Sequence, residues 1–321
     1  MVLKLPVAFT GPFSYVDCGA RGDVSKPLLS VFEDSRYIGF DPQVSEESEK
    51  EAPYIYFPVG LGKEAGSVKF HRTQNLNCSS VYTPNREFLS RFMLVEDFFK
   101  VIEIVPMEVV ALDDYLPKNG ISQVDFMELD TQGSELDILQ GAKNFLTSSI
   151  LGVRVEVEFS AMYQTQPLFA DVDGLLRQFG FMLFDLERYH LRRKTSPVQP
   201  SSREQIIWGQ ALYFKDWKNS SETFTKQKLG KLAMTASFYG FHSYASEILE
   251  YMMRDNVNIL SLEERDQLAG IYRGGTPFWR SSLRDRAALF IKKIPRRIGS
   301  FFALMKRGKA ELQGGNYFWK D

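Results

Sequence analysis

FSYVDCGARGDVSKPLL, residues 13–29, is the stretch from which the fold is read. An apolar run ends in Asp17, a turn with Gly19 and Gly22 follows, and the chain then changes its period. Nicotinamide and flavin folds place G-x-G-x-x-G after their first strand. Here the register reads Asp17, Cys18, Gly19, Ala20, Arg21, Gly22, with an acid in the first glycine's place. A carboxylate there repels a pyrophosphate and suits a ligand that carries positive charge. S-adenosylmethionine has a sulfonium, an ammonium and no phosphate. Gly19 and Gly22, with Ala20 between them, let the backbone approach such a ligand closely. The plainer alternative is a strand-to-helix turn with an N-capping Asp.

Outward from this turn, strand-like runs alternate with helix-like stretches up to about residue 216. The runs are SYVDC, RYIGF, YIYFPVG, SVKF, VIEIV, DFMELD, GVRVEVEF, FMLFDL and IIWGQALYF. Among the helical stretches, SELDILQGAKNFL repeats its apolar residues at helical spacing, with Ser134 and Asp137 placed as in a capping box. PLFADVDGLLRQFG ends at Gly180, in the position of a C-cap. Strand and helix in turn argue for a mostly parallel sheet with helices on both faces. No crossover helix is evident in HLRRKTSPVQPSSREQ, so the last two strands are expected to form an antiparallel hairpin. RYIGFDP ends in Asp41, where nucleoside-binding α/β folds carry the acid that holds the ribose; alternatively Asp41-Pro42 only starts a turn.

The composition sets bounds. The 321 residues carry a net charge of -1, so no global field favours nucleic acid. Cys18, Cys78, His71, His190 and His242 show no zinc-like spacing, and no metal is expected. Neither a signal peptide nor a long apolar run is apparent, and the expectation is a cytoplasmic protein.

VDFMELDTQGSELDILQGA, residues 124–142, is the most specific stretch: a strand ends in Asp130, Gly133 turns, and a helix follows. With VDCGARGDV, GFDPQ, VALDDYL and VRVEVEF in the same order, it resembles the FkbM family of S-adenosylmethionine-dependent methyltransferases over about residues 13–216. Gln132 stands where many members have Glu. The resemblance implies a class I methyltransferase fold, a Rossmann-like seven-stranded sheet with its last strand antiparallel. It also implies cofactor contacts from Asp17, Gly19, Gly22 and Asp41, and places Asp130 near the methionine moiety or the acceptor. Ala20 is counted with these contacts by its place in the turn.

For transfer to a hydroxyl, the base expected first is Asp130, followed by Glu135, Glu156 and Glu158. Glu156 and Glu158 share one face of an otherwise apolar strand, and Glu158, nearer the carboxyl end, is preferred. Glu135 reads equally as a first-turn acid beside a helix dipole. His71, Asn77, Ser79 and Ser80 lie in a polar stretch read as a loop over the cofactor face, and Tyr163 is a candidate for the acceptor pocket.

The chain divides into a methyltransferase domain, residues 1–218, and a helical C-terminal appendage, 219–321. Within the appendage, residues 284–309 mix Lys and Arg with apolar residues. That suits weak contact with an anionic membrane surface, or a helix packed on the catalytic domain with a solvated basic face. The expected activity is O-methylation of a sugar, a glycan or a secondary metabolite. The alternative is an inactive adenosylmethionine-binding or peripheral-membrane module. A nicotinamide oxidoreductase is disfavoured by Asp17.

Overall fold

The computed structural model describes residues 2–20, 27–42, 53–93, 95–194, 203–219, 223–254 and 258–274. Gly22 and the basic segment 284–309 lie outside the described residues. The nine strand-like runs of the sequence lie in ten strands, YIYFPVG being divided between β3 and β4: β1 (Phe13–Cys18), β2 (Ser35–Phe40), β3 (Tyr54–Phe57), β4 (Gly60–Leu61), β5 (Gly66–Thr73), β6 (Val101–Val110), β7 (Phe126–Leu129), β8 (Gly152–Glu158), β9 (Phe181–Leu191) and β10 (Gln205–Lys215). Seven of them form one sheet in the order β3-β2-β1-β7-β8-β10-β9. The pairs β3-β2, β2-β1, β1-β7 and β7-β8 are parallel, and β10 runs antiparallel to both β8 and β9. β1 is buried along its whole length, as a central parallel strand covered on both faces must be.

The remaining strands make a second, three-stranded sheet in the order β4-β6-β5. The polar stretch read as a loop thus begins as β5, which pairs antiparallel with β6. β6 carries Pro106, which the ladder tolerates because β4 reaches only Val109 and Val110, so among the described residues that part of β6 has no second strand neighbour.

The helices are α1 (Val7–Thr10), α2 (Arg86–Leu89), α3 (Leu112–Lys118), α4 (Glu135–Gln140), α5 (Lys143–Ser148), α6 (Phe169–Gln178), α7 (Lys226–Phe238), α8 (His242–Met252) and α9 (Leu262–Gly274). Two helical stretches of the sequence are divided at glycines. SELDILQGAKNFL divides into α4 and α5 at Gly141, where an added Cβ would stand 2.2 Å from the Gly62 carbonyl oxygen. The Gly141 carbonyl accepts from the Asp113 N–H at 2.9 Å, and the Asp113 carboxylate takes the Asn144 and Phe145 N–H groups that begin α5. KLAMTASFYGFHSYASEILEYMM divides into α7 and α8 at Gly240, whose φ is +90°.

One face of the main sheet packs on α3–α6 through Val16, Ile38, Met127, Leu139 and Leu146. On the other face, the described part of the β1–β2 connection holds only a 3-10 turn, Leu29–Val31. That face is covered by α1 and by α7–α9, which share one core with Phe13, Tyr37, Phe126 and Phe214. α7 is buried from Leu229 to Ser237. An added Cβ at Gly230 would meet the Phe9 carbonyl at 2.1 Å, so α1 and α7 touch backbone to backbone. Lys231 Nζ lies 2.8 Å from Asp125 Oδ1, and both side chains are buried. The helices assigned on sequence to an appendage therefore supply the second layer of the fold.

Candidate active site

A cavity of about 160 Å³ opens at the carboxyl ends of β1, β2, β7 and β8, the place where an open α/β sheet binds its ligand. Gly19, Asp41, Asp130 and Glu156 contribute to its wall from those four strand ends. The opposite wall is apolar: Phe70 and Met107 come from the second sheet, Leu76, Phe99 and Met162 from the segments over the strand ends, and Trp208 from β10. Behind it Leu89, Phe92, Val95, Phe99 and Tyr163 form a small core of their own.

The β1 turn is built as its glycine suggested. Gly19 has φ +93°, a conformation L side chains avoid, and the Gly19 and Ala20 N–H groups both donate to the Phe40 carbonyl at 2.9 Å. Asp17 is buried one step below this turn and is not part of the described wall. The Tyr37 hydroxyl donates to its Oδ2 at 2.7 Å. Asp41, two residues beyond Asp17's sheet partner Gly39, reaches the wall and is 5% exposed. In the row of Asp17 stand Glu128 and Arg154. Glu128 accepts from Arg154 at 2.5 Å and from the Tyr15 hydroxyl, which neutralises that acid within the sheet.

The turn 130–135 is held by its own acid. Glu135 Oε1 accepts from the Thr131 N–H at 2.7 Å and from its hydroxyl at 3.0 Å, while Oε2 accepts from the Gly133 N–H at 2.9 Å. The expected Ser134–Asp137 capping box does not form. Ser134 Oγ donates to Thr131 Oγ1, and Asp137 accepts from the Tyr82 hydroxyl. Burial pushes the Glu135 carboxyl up to about 7. Glu135 is therefore placed to hold the turn, and it is absent from the described wall.

Register decides between the two glutamates of β8. Leu129 pairs with Val155, which sets Asp130 beside Glu156. Glu156 faces the cavity, while Glu158 is 2% exposed and stands outside the described wall. Burial raises both carboxyls well above the ordinary range. The charge of Asp130 adds to the effect on Glu156, and that of Glu135 to the effect on Glu158. Gln132 Nε2 donates to both Asp130 Oδ1 and Glu156 Oε2, at 3.1 and 2.7 Å. Of the loop candidates, Asn77 and Ser79 reach the wall, whereas His71 is buried against Thr83 at 3.2 Å. Ser80 and Tyr163 support Gln132, through its carbonyl oxygen at 2.7 Å and its Oε1 at 3.1 Å.

Glycine turn, acid-tipped strands and the order 3-2-1-4-5-7-6 of the seven main strands, counted along the chain, define a class I methyltransferase fold. The sequence model of the methyltransferase FkbM domain matches residues 16–183. The chain belongs to the FkbM methyltransferase family. Among solved structures, it is similar to methyltransferase FkbM from Methylobacillus flagellatus KT, at 15% identity and a TM-score of 0.36. That match covers 64% of this chain and 44% of the other, so the chain spans less than half the length of that relative. It is also similar to magnesium protoporphyrin IX methyltransferase from Synechocystis PCC 6803, solved with bound SAM, at 11% identity and a TM-score of 0.30, over 65% of this chain and 72% of that one. A putative tRNA (m1A22) methyltransferase from Streptococcus pneumoniae matches at 10% identity and a TM-score of 0.27, over 82% and 90%. No curated protein matches the chain.

Proposed function

We propose that this chain transfers a methyl group from S-adenosylmethionine to a hydroxyl oxygen of a small molecule or glycan. One observation carries the reading. The described wall holds three carboxylates, Asp41, Asp130 and Glu156, and no Lys, Arg or His. Such a wall disfavours a diphosphate and suits a cationic nucleoside. Asp41 is assigned to the ribose hydroxyls. The backbone at Gly19, Ala20 and Gly22 is assigned to the amino-acid part, with Asp17 fixing the strand end beneath it through Tyr37. Bound adenosylmethionine supplies an electrophilic methyl on a positive sulfur and leaves as a neutral thioether.

Asp130 is the base. The acceptor's O–H proton passes to its carboxylate as the oxygen gains the methyl, so the products are a methyl ether and a neutral Asp130. Burial, and after it the charge of Asp130, push the Glu156 carboxyl well above the ordinary carboxylate range, which favours its protonated form. Holding the oxygen in line with the methyl at contact distance supplies most of the acceleration. The apolar wall suits an acceptor whose hydroxyl sits on an apolar body, as in a secondary metabolite, better than a bare sugar.

Calorimetry with adenosylmethionine, adenosylhomocysteine and NAD tests the donor. Binding of the two adenosyl ligands and not of NAD is expected, and binding of NAD alone sinks the reading. Transfer of labelled methyl to a panel of apolar alcohols and glycosides then tests the acceptor. Tight adenosylhomocysteine binding with no transfer across the panel would favour an inactive module.

A further inference from the structure

The link between β7 and α4 runs through two consecutive left-handed residues, Gln132 at φ +61° and Gly133 at φ +106°. Glycine adopts that conformation freely; glutamine does so at a cost. Backbone strain of this kind persists where surrounding contacts hold it, often at a functional site. The Gln132 carbonyl takes the Ser80 hydroxyl at 2.7 Å, so the turn is pinned from the second sheet's side. The side chain then points into the cavity with both ends used. Its Nε2 donates to Asp130 Oδ1 at 3.1 Å and to Glu156 Oε2 at 2.7 Å. Its Oε1 lies 3.1 Å from the Tyr163 hydroxyl, which also lies 2.9 Å from the Cys78 carbonyl. The partners fix the orientation of the amide. An ionised carboxylate offers only acceptors, and the Tyr163 hydroxyl, which lies between Gln132 Oε1 and the Cys78 carbonyl, can donate, so a flipped amide would set its oxygen against the Asp130 carboxylate.

We propose that Gln132 is a positioning residue, whose amide holds the Asp130 and Glu156 carboxylates side by side and aims Asp130 at the acceptor hydroxyl. The role rests on Asp130 being the base, while the clamp itself stands on geometry alone. Two acids at this distance repel each other, and an amide that donates to both favours their close approach without adding a charge. A carboxylate in its place would add a third acid and take away the donors.

Among the described residues, the titratable groups that act on the pair or are acted on by it are a thiol, two carboxyls and two tyrosines, not cations. Cys78 comes from the 3-10 turn Leu76–Cys78, Glu135 from α4, Glu158 from β8, Tyr163 from the loop after β8 and Tyr189 from β9. Arg154, two residues before Glu156 on the same strand, is engaged by Glu128.

The test uses the full chain labelled with 13C at the aspartate carboxyl carbons. The Asp130 resonance is identified by its loss in Asp130→Asn, and its midpoint is followed by pH titration of the folded protein. Gln132→Met keeps the volume and removes the donors; Gln132→Glu keeps the shape and adds charge. Each is expected to raise the Asp130 midpoint by about one pH unit or more, because the ionised form loses its donor or gains a like charge. A midpoint unchanged in either variant overturns the clamp, whatever happens to the melting temperature. Adenosylhomocysteine calorimetry on the same samples tests the donor reading separately. If wild type fails to bind it, that reading falls, and the titration still decides the clamp.

Discussion

Lys231→Met should destabilise the protein by about 4 kcal/mol at pH 7, and by much less at pH 5. Lys231 Nζ and Asp125 Oδ1 are 2.8 Å apart, with side-chain exposures of 2% and 0%. Asp125 also accepts from the Ser14 N–H at 2.8 Å and from Gln123 Nε2 at 2.9 Å. Removing the ammonium leaves a buried carboxylate with those two donors. If it stays charged, the loss is that of breaking a buried pair, about 3–5 kcal/mol. If it takes a proton instead, holding an aspartic acid neutral at pH 7 costs about 1.36 kcal/mol for each of roughly three pH units, again about 4 kcal/mol. The second route is cheaper in acid: at pH 5 it costs only about 1.5 kcal/mol. Lys231→Met/Asp125→Asn, which removes both charges, should recover most of the loss. Urea unfolding followed by tryptophan fluorescence at the two pH values measures all of these. A loss below about 1 kcal/mol at pH 7, or one independent of pH, refutes the picture of α7 anchored to the sheet through this pair.

Asp41→Ala should weaken adenosylhomocysteine binding about tenfold or more by calorimetry while leaving the melting temperature nearly unchanged; equal affinity would remove Asp41 from the ribose site. Asp130→Asn should lower kcat for methyl transfer by about a hundredfold with little effect on cofactor affinity, within the range for loss of a general base; equal turnover would remove it as base. Stability should fall as pH rises from about 4.5 to about 7, because Glu135 binds its proton more tightly folded than unfolded. The effect is about 3 kcal/mol for this group, and Glu135→Gln should flatten the dependence of the melting temperature on pH over that window. An equally steep dependence in the variant would show that Glu135 is not its source.

Much of the fold was legible because its signals are local. β1, β2 and β7 are mostly apolar runs ending in acids or turns, β8 alternates valines with charged residues, and the antiparallel β9–β10 pair announced itself by the lack of a helix between its strands. What was not legible depends on distant contacts. Gly141 breaks a helix that periodicity makes continuous because the Gly62 carbonyl occupies the space a side chain would need. SVKF reads as a strand, but β5 continues through His71 to Thr73 into the stretch read as a loop, because that part pairs with β6, far along the chain. The choice of Glu158 over Glu156 followed the direction of the strand; the register Leu129 to Val155, visible only once β7 and β8 are paired, puts Glu156 beside Asp130 instead. Gln132 stood out in the sequence as a departure from its family, and its hydrogen bonds supply the physical content of that departure.

The acids at the sheet's edge differ in how each is accommodated, and that difference divides their roles. Glu128 is matched by Arg154 and Tyr15, Asp17 by the Tyr37 hydroxyl, and Glu135 by the N–H groups of its own turn. Each of these accepts hydrogen bonds from groups of the fold itself. Asp41, Asp130 and Glu156 instead face a common cavity. Like charges gathered in a poorly hydrated space are costly unless protons or a cation come in. Burial and the charge of Asp130 raise the Glu156 carboxyl, which favours the proton solution within the protein alone. On the proposed reading a sulfonium offers the other solution, and it disappears when the methyl leaves. A wall that draws in such a donor would then hold the neutral thioether less strongly, which would favour turnover over product retention.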